Sequence, residues 1–276
     1  MDSPLPFILL VAASLLLVAV LLAQPWWRRR WRSRIRQLPF PAPWRRILQQ
    51  RVPLLQRLPA DLQIQLKQHI QVFLAEKPFI GCAGLAITDE IRVTVAALAC
   101  LPLLNRPDAY YPGLRQILVY PGPFVVDRAH TDGNGLLQSM RQVLAGESWS
   151  QGQVILSWQD VTHDAANPDA GRNVVIHEFA HQLDQETGAA NGAPELGSAQ
   201  AYARWSHVLG AEFAQLQQRA AQGLSGVLDS YGATNPAEFF AVVSEAFFLQ
   251  PGRLAQEHPG LFDELRRFYC VDPLAW

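Results

Sequence analysis

A histidine, a glutamate and a second histidine lie in a segment that would have apolar residues on nearly every side of a helix. Residues 173–184 read NVVIHEFAHQLD. Apolar residues all around a helix indicate that it is buried, and burying ionisable side chains costs free energy unless they are paired or hold a metal ion. The segment therefore predicts a core helix whose three polar side chains have a specific task.

His177, Glu178 and His181 form the pattern H-E-x-x-H. Residues four apart lie on one face of a helix, so both imidazoles can point at one ion. The glutamate beside the first histidine can then act as general base for a water activated by zinc. The pattern predicts a catalytic zinc site. The alternative is a pair of hydrogen-bonded histidines in an ordinary core helix.

A catalytic zinc site needs a third protein ligand as well as an open position. Glu238 and Glu245 are the best candidates, because they lie seven residues apart and so on one face of an apolar helix. Residues 235–238 also fit an N-cap asparagine, a first-turn proline and a capping-box glutamate, and Glu245 could pair with an arginine such as Arg253. Spacing alone does not decide between the two glutamates.

Four further residues are open alternatives around this pattern. His130 and His163 lie in polar loops that could deliver a ligand, whereas His207 lies on an amphipathic helix, where a histidine is more often a surface or packing residue. Asp184 stands three residues beyond His181. It could orient a ligand imidazole or be a solvated residue near the helix end.

The N-terminal segment joins an apolar run to an arginine cluster. Residues 4–23 carry no charge, and their number is close to that needed to cross a hydrocarbon core. Tryptophans and six arginines follow by residue 36, as at a cytoplasmic membrane interface. We therefore expect a single-pass inner-membrane protein whose catalytic domain lies in the cytoplasm. The alternative interpretation of the segment is a cleaved signal peptide, and the alternative localisation is cytoplasmic.

The remaining segments predict an α+β fold, with a small mixed sheet and a mainly helical C-terminal half that carries the H-E-x-x-H helix. Gly188 is typical of the end of that helix. The predicted domains are a membrane anchor with its arginine cluster, a proline-rich linker and a metallopeptidase domain, at residues 1–36, 37–60 and 61–276. The predicted strands are 116–120, 124–126 and 153–158, and the predicted helices are 61–77, 90–101, 172–187, 198–222, 236–249 and 259–269.

The net charge of the chain limits the classes of partner that we expect it to bind. The formal net charge is −1, and the arginine cluster leaves the rest of the chain mildly acidic. This balance gives no reason to expect a nucleic-acid partner. Three widely spaced cysteines do not form a disulfide framework.

Four segments, at 118–127, 146–160, 173–184 and 231–248, together resemble the Mlc titration factor A family of zinc-dependent peptidases. The resemblance implies a zincin-like fold with zinc bound by His177, His181 and Glu238. It also implies that Glu178 is the catalytic base and that Glu245 is an outer carboxylate. One departure is Gln138, where some members have a histidine. The N-terminal anchor is another.

The last of these segments also resembles the active-site helix of lethal-factor-type metallopeptidases, which have a tyrosine seven residues before the glutamate ligand. Tyr231 stands seven residues before Glu238. Its phenol could hydrogen-bond the oxyanion, or it could be a turn tyrosine that packs on the core.

The resemblance implies a zinc metallopeptidase, of aminopeptidase type, that hydrolyses a peptide or protein substrate. The predicted strand at 153–158 could be an edge strand along which an extended peptide lies. The alternative function is a regulatory binding protein that sequesters a transcription repressor and has a non-catalytic zinc site. This alternative follows from the family name, which refers to binding of the glucose repressor Mlc.

Overall fold

A computed structural model of the chain describes residues 5–106, 110–131, 137–144, 146–149 and 152–276. The helices are α1 (Leu5–Arg36), α2 (Ala42–Arg51), α3 (Ala60–Glu76), α4 (Asp89–Cys100), α5 (Trp158–Ala166), α6 (Val174–Asp184), α7 (Ala199–Ala221), α8 (Pro236–Leu249), α9 (Pro251–Glu257) and α10 (Pro259–Tyr269). The strands are β1 (Phe79–Gly81), β2 (Gln116–Tyr120), β3 (Phe124–Thr131), β4 (Leu137–Leu144), β5 (Gly146–Trp149) and β6 (Gln153–Ser157).

The main sheet has the strand order β1-β2-β6-β5. Strands β1, β2 and β6 are parallel, whereas β5 runs antiparallel to β6. Strands β3 and β4 form a separate antiparallel pair. The prediction of a small mixed sheet within a mainly helical protein is confirmed. The prediction that residues 153–158 lie at the sheet edge is wrong, because β6 has a neighbour on each side and the strands at the ends of the order are β1 and β5.

The apolar sequence of β6 matches its burial on both faces. Val154 and Leu156 are fully buried, and Ile155 between them is 6% exposed. A strand buried on both faces reads as a continuous apolar run. Strand β2 instead alternates between buried and half-buried residues, with Ile117 and Val119 in the core.

Helix α6 passes through the middle of the core. Its Phe179 is fully buried, with ring centroids 5.7 Å from Phe73 and 4.8 Å from Tyr111. Since aromatic side chains contribute large buried areas, these contacts fix the face of α6 that points away from the two histidines. The opposite face packs on α8 and β5.

The N-terminal prediction requires a correction. Among the described residues, no helix is both long enough and apolar enough to span a bilayer. The predicted transmembrane helix at residues 4–23, and with it the single-pass inner-membrane localisation, is therefore wrong. The physical reason is that the apolar run is only part of α1, which continues through the arginine cluster to Arg36.

The arginine-rich end of α1 packs on the protein body. Arg32 Nε lies 2.6 Å from Glu76 Oε1 of α3, and Arg28 Nη2 lies 3.0 Å from Glu76 Oε2. The Arg32 guanidinium also lies 4.6 Å from the ring centroid of Tyr110. These arginines therefore bind a carboxylate of the chain itself.

Residues 37–60, predicted to be a proline-rich linker, include α2 and a short 3₁₀ turn at Pro53–Gln56. Leu48 and Val52 belong to the core cluster. The proposed division of the chain at residues 36 and 60 stays a prediction.

Candidate metal centre

Two helices with asparagine N-caps carry the three predicted ligands. The side chain of Asn173 accepts a hydrogen bond from Ile176 N at 3.1 Å at the start of α6. The side chain of Asn235 accepts one from Glu238 N at 3.0 Å at the start of α8. Such caps satisfy backbone donors that have no partner within the helix. They also fix the start of each helix, and therefore the direction of the side chains that follow.

The structure brings His177, His181 and Glu238 together. Glu238 Oε2 lies 3.0 Å from His177 Nε2 and 3.4 Å from His181 Nε2. One potential ligand atom from each residue lies within 4.8 Å of the other two. The two imidazole rings are nearly perpendicular, at 80°, with centroids 4.9 Å apart. The pattern on α6 and the glutamate of α8 thus converge on one point.

Glu245 lies on the other side of His177. Its Oε1 is 2.7 Å from His177 Nδ1, and its Oε2 accepts a hydrogen bond from the backbone N–H of Asn173. A carboxylate on Nδ1 fixes the ring orientation and leaves Nε2 to face the other ligand atoms, as in many zinc sites. The residues therefore fit a metal ion. Three donor side chains converge on one point, and Glu245 fixes the orientation of the His177 ring through its Nδ1.

The pKa shifts in the cluster agree with a site for a cation. Burial lowers the pKa of His177, but hydrogen bonds to Glu238 and Glu245 outweigh burial and leave it raised well above its ordinary value. Burial raises the pKa of Glu238, but the hydrogen bonds from His177 and His181 reverse this effect, so the pKa is lowered. Both shifts favour a positive charge among carboxylates.

Glu178 lies beside the predicted ligands, against β5. Its side chain is 5% exposed. A Cβ atom added at Gly146 of β5 would lie 2.6 Å from Glu178 Oε1 and 2.6 Å from Val174 Cγ2. The space for the Glu178 carboxylate therefore depends on the missing side chain at position 146. No local pattern in the sequence singles out Gly146, because its contact joins β5 to α6, two segments that are distant along the chain.

Tyr231 stands at the mouth of the site on the 3₁₀ turn Ser230–Ala233. It is 45% exposed, and its ring centroid lies 6.0 Å from that of His177. The Asp229 side chain accepts a hydrogen bond from Tyr231 N at 2.8 Å and so caps the turn. A phenol in this position faces the cleft, in contrast to a turn tyrosine packed on the core.

Two cavities, of about 530 and 490 Å³, meet at the site and share Gly146, His177, Glu178 and Tyr231 as lining residues. Together they form one cleft across the H-E-x-x-H helix. Its two halves differ in the residues around the cluster. Apart from His177, Glu178, His181, Tyr231, Glu238 and Glu245, the charged or polar lining of the first half is Asp160, Asp164, Arg172 and Asp229. That of the second half is Ser148, Gln185, Asn191 and Asn235.

Other candidate residues are not part of this cluster. Within the described part of the chain, neither His163 nor His207 joins a group of potential metal ligands. The side chains of His130 and Gln138 lie outside the described residues. Arg253 pairs with Glu257 at 3.2 Å, and Asp184 is fully buried, so Asp184 is not a solvated residue at the helix end.

Comparison with known proteins agrees with this geometry. The family described as glucose-regulated metallo-peptidase M90 matches residues 24–270. The chain belongs to this family. The match includes α6 and α8, and the predicted resemblance to Mlc titration factor A is confirmed at the level of the family.

Three relatives illustrate the extent of the similarity. An uncharacterized protein of Synechocystis sp. is 40% identical over 272 residues, which cover 98% of each chain. Mlc titration factor A of Klebsiella pneumoniae is 38% identical over 238 residues, covering 84% of this chain and 87% of the relative. Mlc titration factor A of Yersinia pestis is 36% identical over 248 residues, covering 89% and 90%.

Proposed function

We propose that the protein is a zinc-dependent peptidase in which His177, His181 and Glu238 hold the metal. The observation that carries this proposal is the convergence of one potential ligand atom from each of these residues within 4.8 Å. Two imidazoles and a carboxylate suit Zn²⁺. A set of three protein ligands is also the catalytic type, since structural zinc sites usually have four.

Glu178 is the proposed general base. Bound zinc would polarise the scissile carbonyl and lower the pKa of water. Glu178 lies next to the first ligand in sequence and lines both halves of the cleft. From there its carboxylate can take a proton from the attacking water and pass it to the leaving amine. Its burial keeps bulk water away from the group that holds the proton.

Tyr231 is the proposed hydrogen-bond donor to the carbonyl oxygen of the substrate. Its ring stands at the mouth of the cleft on the His177 side. A donor aimed at the oxygen where charge develops stabilises the transition state more than the ground state. Tyr231 belongs to the turn capped by Asp229, which fixes the backbone that carries the ring.

The proposed substrate is a peptide or protein segment that lies along β5. This strand is at the end of the sheet order, and its first residue contacts Glu178. An extended peptide can add to such an edge through main-chain hydrogen bonds. This arrangement would place the scissile bond beside the edge strand and within reach of Glu178.

An aminopeptidase form of the activity is the narrower proposal, and it rests on the family resemblance. Hydrolysis of peptide amides with a free N-terminus would be compared with hydrolysis of the same peptides after N-acetylation. Loss of cleavage on acetylation supports an aminopeptidase. Equal cleavage of both forms would contradict it and leave an endopeptidase.

Glu178→Gln tests the proposed mechanism. The amide keeps the shape of the side chain but cannot accept the proton, so turnover of a peptide library should fall by at least about 100-fold. Zinc content should equal that of the parent protein, because the three proposed ligands are untouched. Unchanged hydrolysis by Glu178→Gln would overturn the assignment of Glu178 as base.

A second proposed function is binding of a transcription repressor of the Mlc type. It is supported by two relatives named Mlc titration factor A that cover most of the chain. Immobilised repressor would be titrated with the parent protein and with Glu178→Gln. Equal, saturable binding of both supports a regulatory role that is separate from catalysis, whereas no binding at micromolar concentration contradicts it.

A further inference from the structure

Gly192 lies between the two helices that carry the proposed ligands. The residue is buried, and its φ of +77° lies in the left-handed region that favours glycine. Its backbone N–H donates to Asp184 Oδ2 at 2.8 Å. Its carbonyl accepts a hydrogen bond from Trp205 Nε1, also at 2.8 Å. Both polar groups of this residue are therefore fixed by side chains from two different helices.

Gly192 also packs directly on the start of α8. A Cβ atom at this position would lie 2.4 Å from the carbonyl oxygen of Pro236 and 2.8 Å from its carbonyl carbon. These are backbone atoms, which cannot move away as a flexible side chain can. No larger residue fits between the loop and α8 unless one of them shifts.

The positions of these contacts along the chain relate them to the ligands. Asp184 is the last residue of α6 and follows His181 by three residues, about one helical turn. Pro236 is the first residue of α8 and precedes Glu238 by two. Contacts from Asp184 through Gly192 to Pro236 therefore join the two helices beside His181 and Glu238.

We propose that Asp184, Gly192 and Pro236, which we call the brace, set the separation of His181 and Glu238 and so preorganise the metal site. The inference rests on the proposed function and adds positioning residues to it. Asp184 is fully buried, and its carboxylate binds the Gly192 N–H. If this bond is lost, the loop can move away from Pro236, and the start of α8 loses this contact beside Glu238.

Trp205 supports the brace from a third helix. It is 2% exposed, and its ring meets Phe240 of α8 and Phe268 of α10 at centroid distances of 5.6 and 5.3 Å. Its indole N–H thus reaches Gly192 from a rigid aromatic cluster. The same loop places Asn191 in the wall of the cleft near His181 and Glu238, so the brace also shapes that half of the cleft.

Zinc affinity of the full chain tests the brace. Zinc would be titrated in competition with a chelator into the parent protein, Asp184→Ala and Asp184→Asn, and thermal unfolding of each metal-free protein would be recorded. Asp184→Ala should raise the zinc Kd about 10- to 100-fold, the usual loss when a group that supports a ligand is removed. Asp184→Asn should recover most of the affinity, because its amide oxygen can still accept from Gly192.

A visible spectrum of the Co²⁺-loaded proteins gives a second readout of ligand geometry. The Asp184→Ala spectrum should differ from the parent spectrum, and the Asp184→Asn spectrum should return to it. A merely structural role would lower the Tm of metal-free Asp184→Ala but leave the zinc Kd and the Co²⁺ spectrum of the folded protein unchanged. That result would overturn the inference.

Two further outcomes separate the brace from the proposed function. If the parent protein itself binds no zinc, the proposed function fails and the inference fails with it. If Asp184→Ala does not fold, Trp205→Phe decides, because it keeps an aromatic ring in the core while removing the donor to Gly192. Weaker zinc binding by Trp205→Phe supports the brace, and binding equal to that of the parent overturns it.

Discussion

Glu245 Oε1 lies 2.7 Å from Nδ1 of His177, on the opposite side of the ring from Glu238. A carboxylate can only accept at this distance, so Nδ1 carries the proton and Nε2 is directed toward His181 and Glu238. Glu245 also accepts from the backbone of Asn173. One buried carboxylate thus links the N-cap of α6 to the orientation of the first histidine.

Glu245→Ala should weaken zinc binding without removing it. The His177 ring would lose the group that fixes its orientation, and affinity should fall by about 10- to 100-fold. Zinc Kd from chelator competition is the measurement. Glu264→Ala is the matched control, because Glu264 is also 5–6% exposed but pairs with Arg204 and Arg267 instead of the ligands. Equal Kd values for Glu245→Ala and the parent would contradict this role.

Gly146→Ala should impair catalysis while zinc stays bound. The new methyl group would lie 2.6 Å from Glu178 Oε1, so the carboxylate must move, and displacement of a catalytic group by about 1 Å can lower kcat about 100-fold. Steady-state hydrolysis and zinc content would both be measured. Gly210→Ala is the control, since a Cβ there meets nothing within 4 Å. Full activity of Gly146→Ala would show that the contact with Glu178 does not matter.

Tyr231→Phe should lower kcat with little change in KM or zinc affinity. The substitution keeps the ring beside His177 and removes only the phenolic donor, and loss of one oxyanion donor costs about 100- to 1,000-fold in kcat. Kinetics of Tyr202→Phe give the control, because that hydroxyl accepts from Leu196 N on the α7 side. An unchanged kcat would contradict a catalytic role and indicate that the Tyr231 ring only packs in the turn.

Lys77 should make the stability of the protein depend on pH in a defined direction. Its ammonium donates to the carbonyls of Tyr111 and Leu114 at 2.7 and 2.8 Å, and burial lowers its pKa from 10.5 to about 8. Between these two values the unfolded chain binds more protons than the folded protein. The contribution of Lys77 to the free energy of unfolding therefore rises from about pH 8 to about pH 10.5 and is constant below pH 8.

Lys77→Met isolates this contribution. Urea unfolding of both proteins at several pH values from 7 to 10 gives the difference in their free energies of unfolding, in which the titration of all other groups cancels. The free energy of unfolding of the parent minus that of Lys77→Met should increase above about pH 8. A difference that does not change with pH would mean that Lys77 keeps its ordinary pKa in the folded protein.

Local signals in the sequence predicted the helices of the site closely. The segment 236–249 was predicted as a helix with Asn235 as N-cap and Pro236 in the first turn, and α8 has these bounds and this cap. The predicted helix over 172–187 is shorter in the structure: α6 ends at Asp184, and Gly188, with a φ of +119°, ends the 3₁₀ turn Gln185–Thr187 that follows it. Capping and helical periodicity depend on neighbouring residues, so the sequence contains the information they require.

Long-range relationships were not accessible from spacing. Glu238 and Glu245 were equivalent candidates because they share a helix face, and in the structure both contact His177, one at each ring nitrogen. The short edge strand β5 was not predicted, because its position depends on pairing with β6. The contact of Gly146 with Glu178 follows from that pairing. The same pairing makes β6 an inner strand and places β5 at the edge.

Zinc content of the full chain tests the central claim most directly. The purified parent protein, His181→Ala and Glu238→Ala would be loaded with zinc, dialysed and analysed for bound metal. The proposed site predicts about one zinc per chain in the parent and loss of that zinc in both variants, with all three proteins folded. Zinc retained by Glu238→Ala as firmly as by the parent, or a folded parent that binds no zinc, would contradict it.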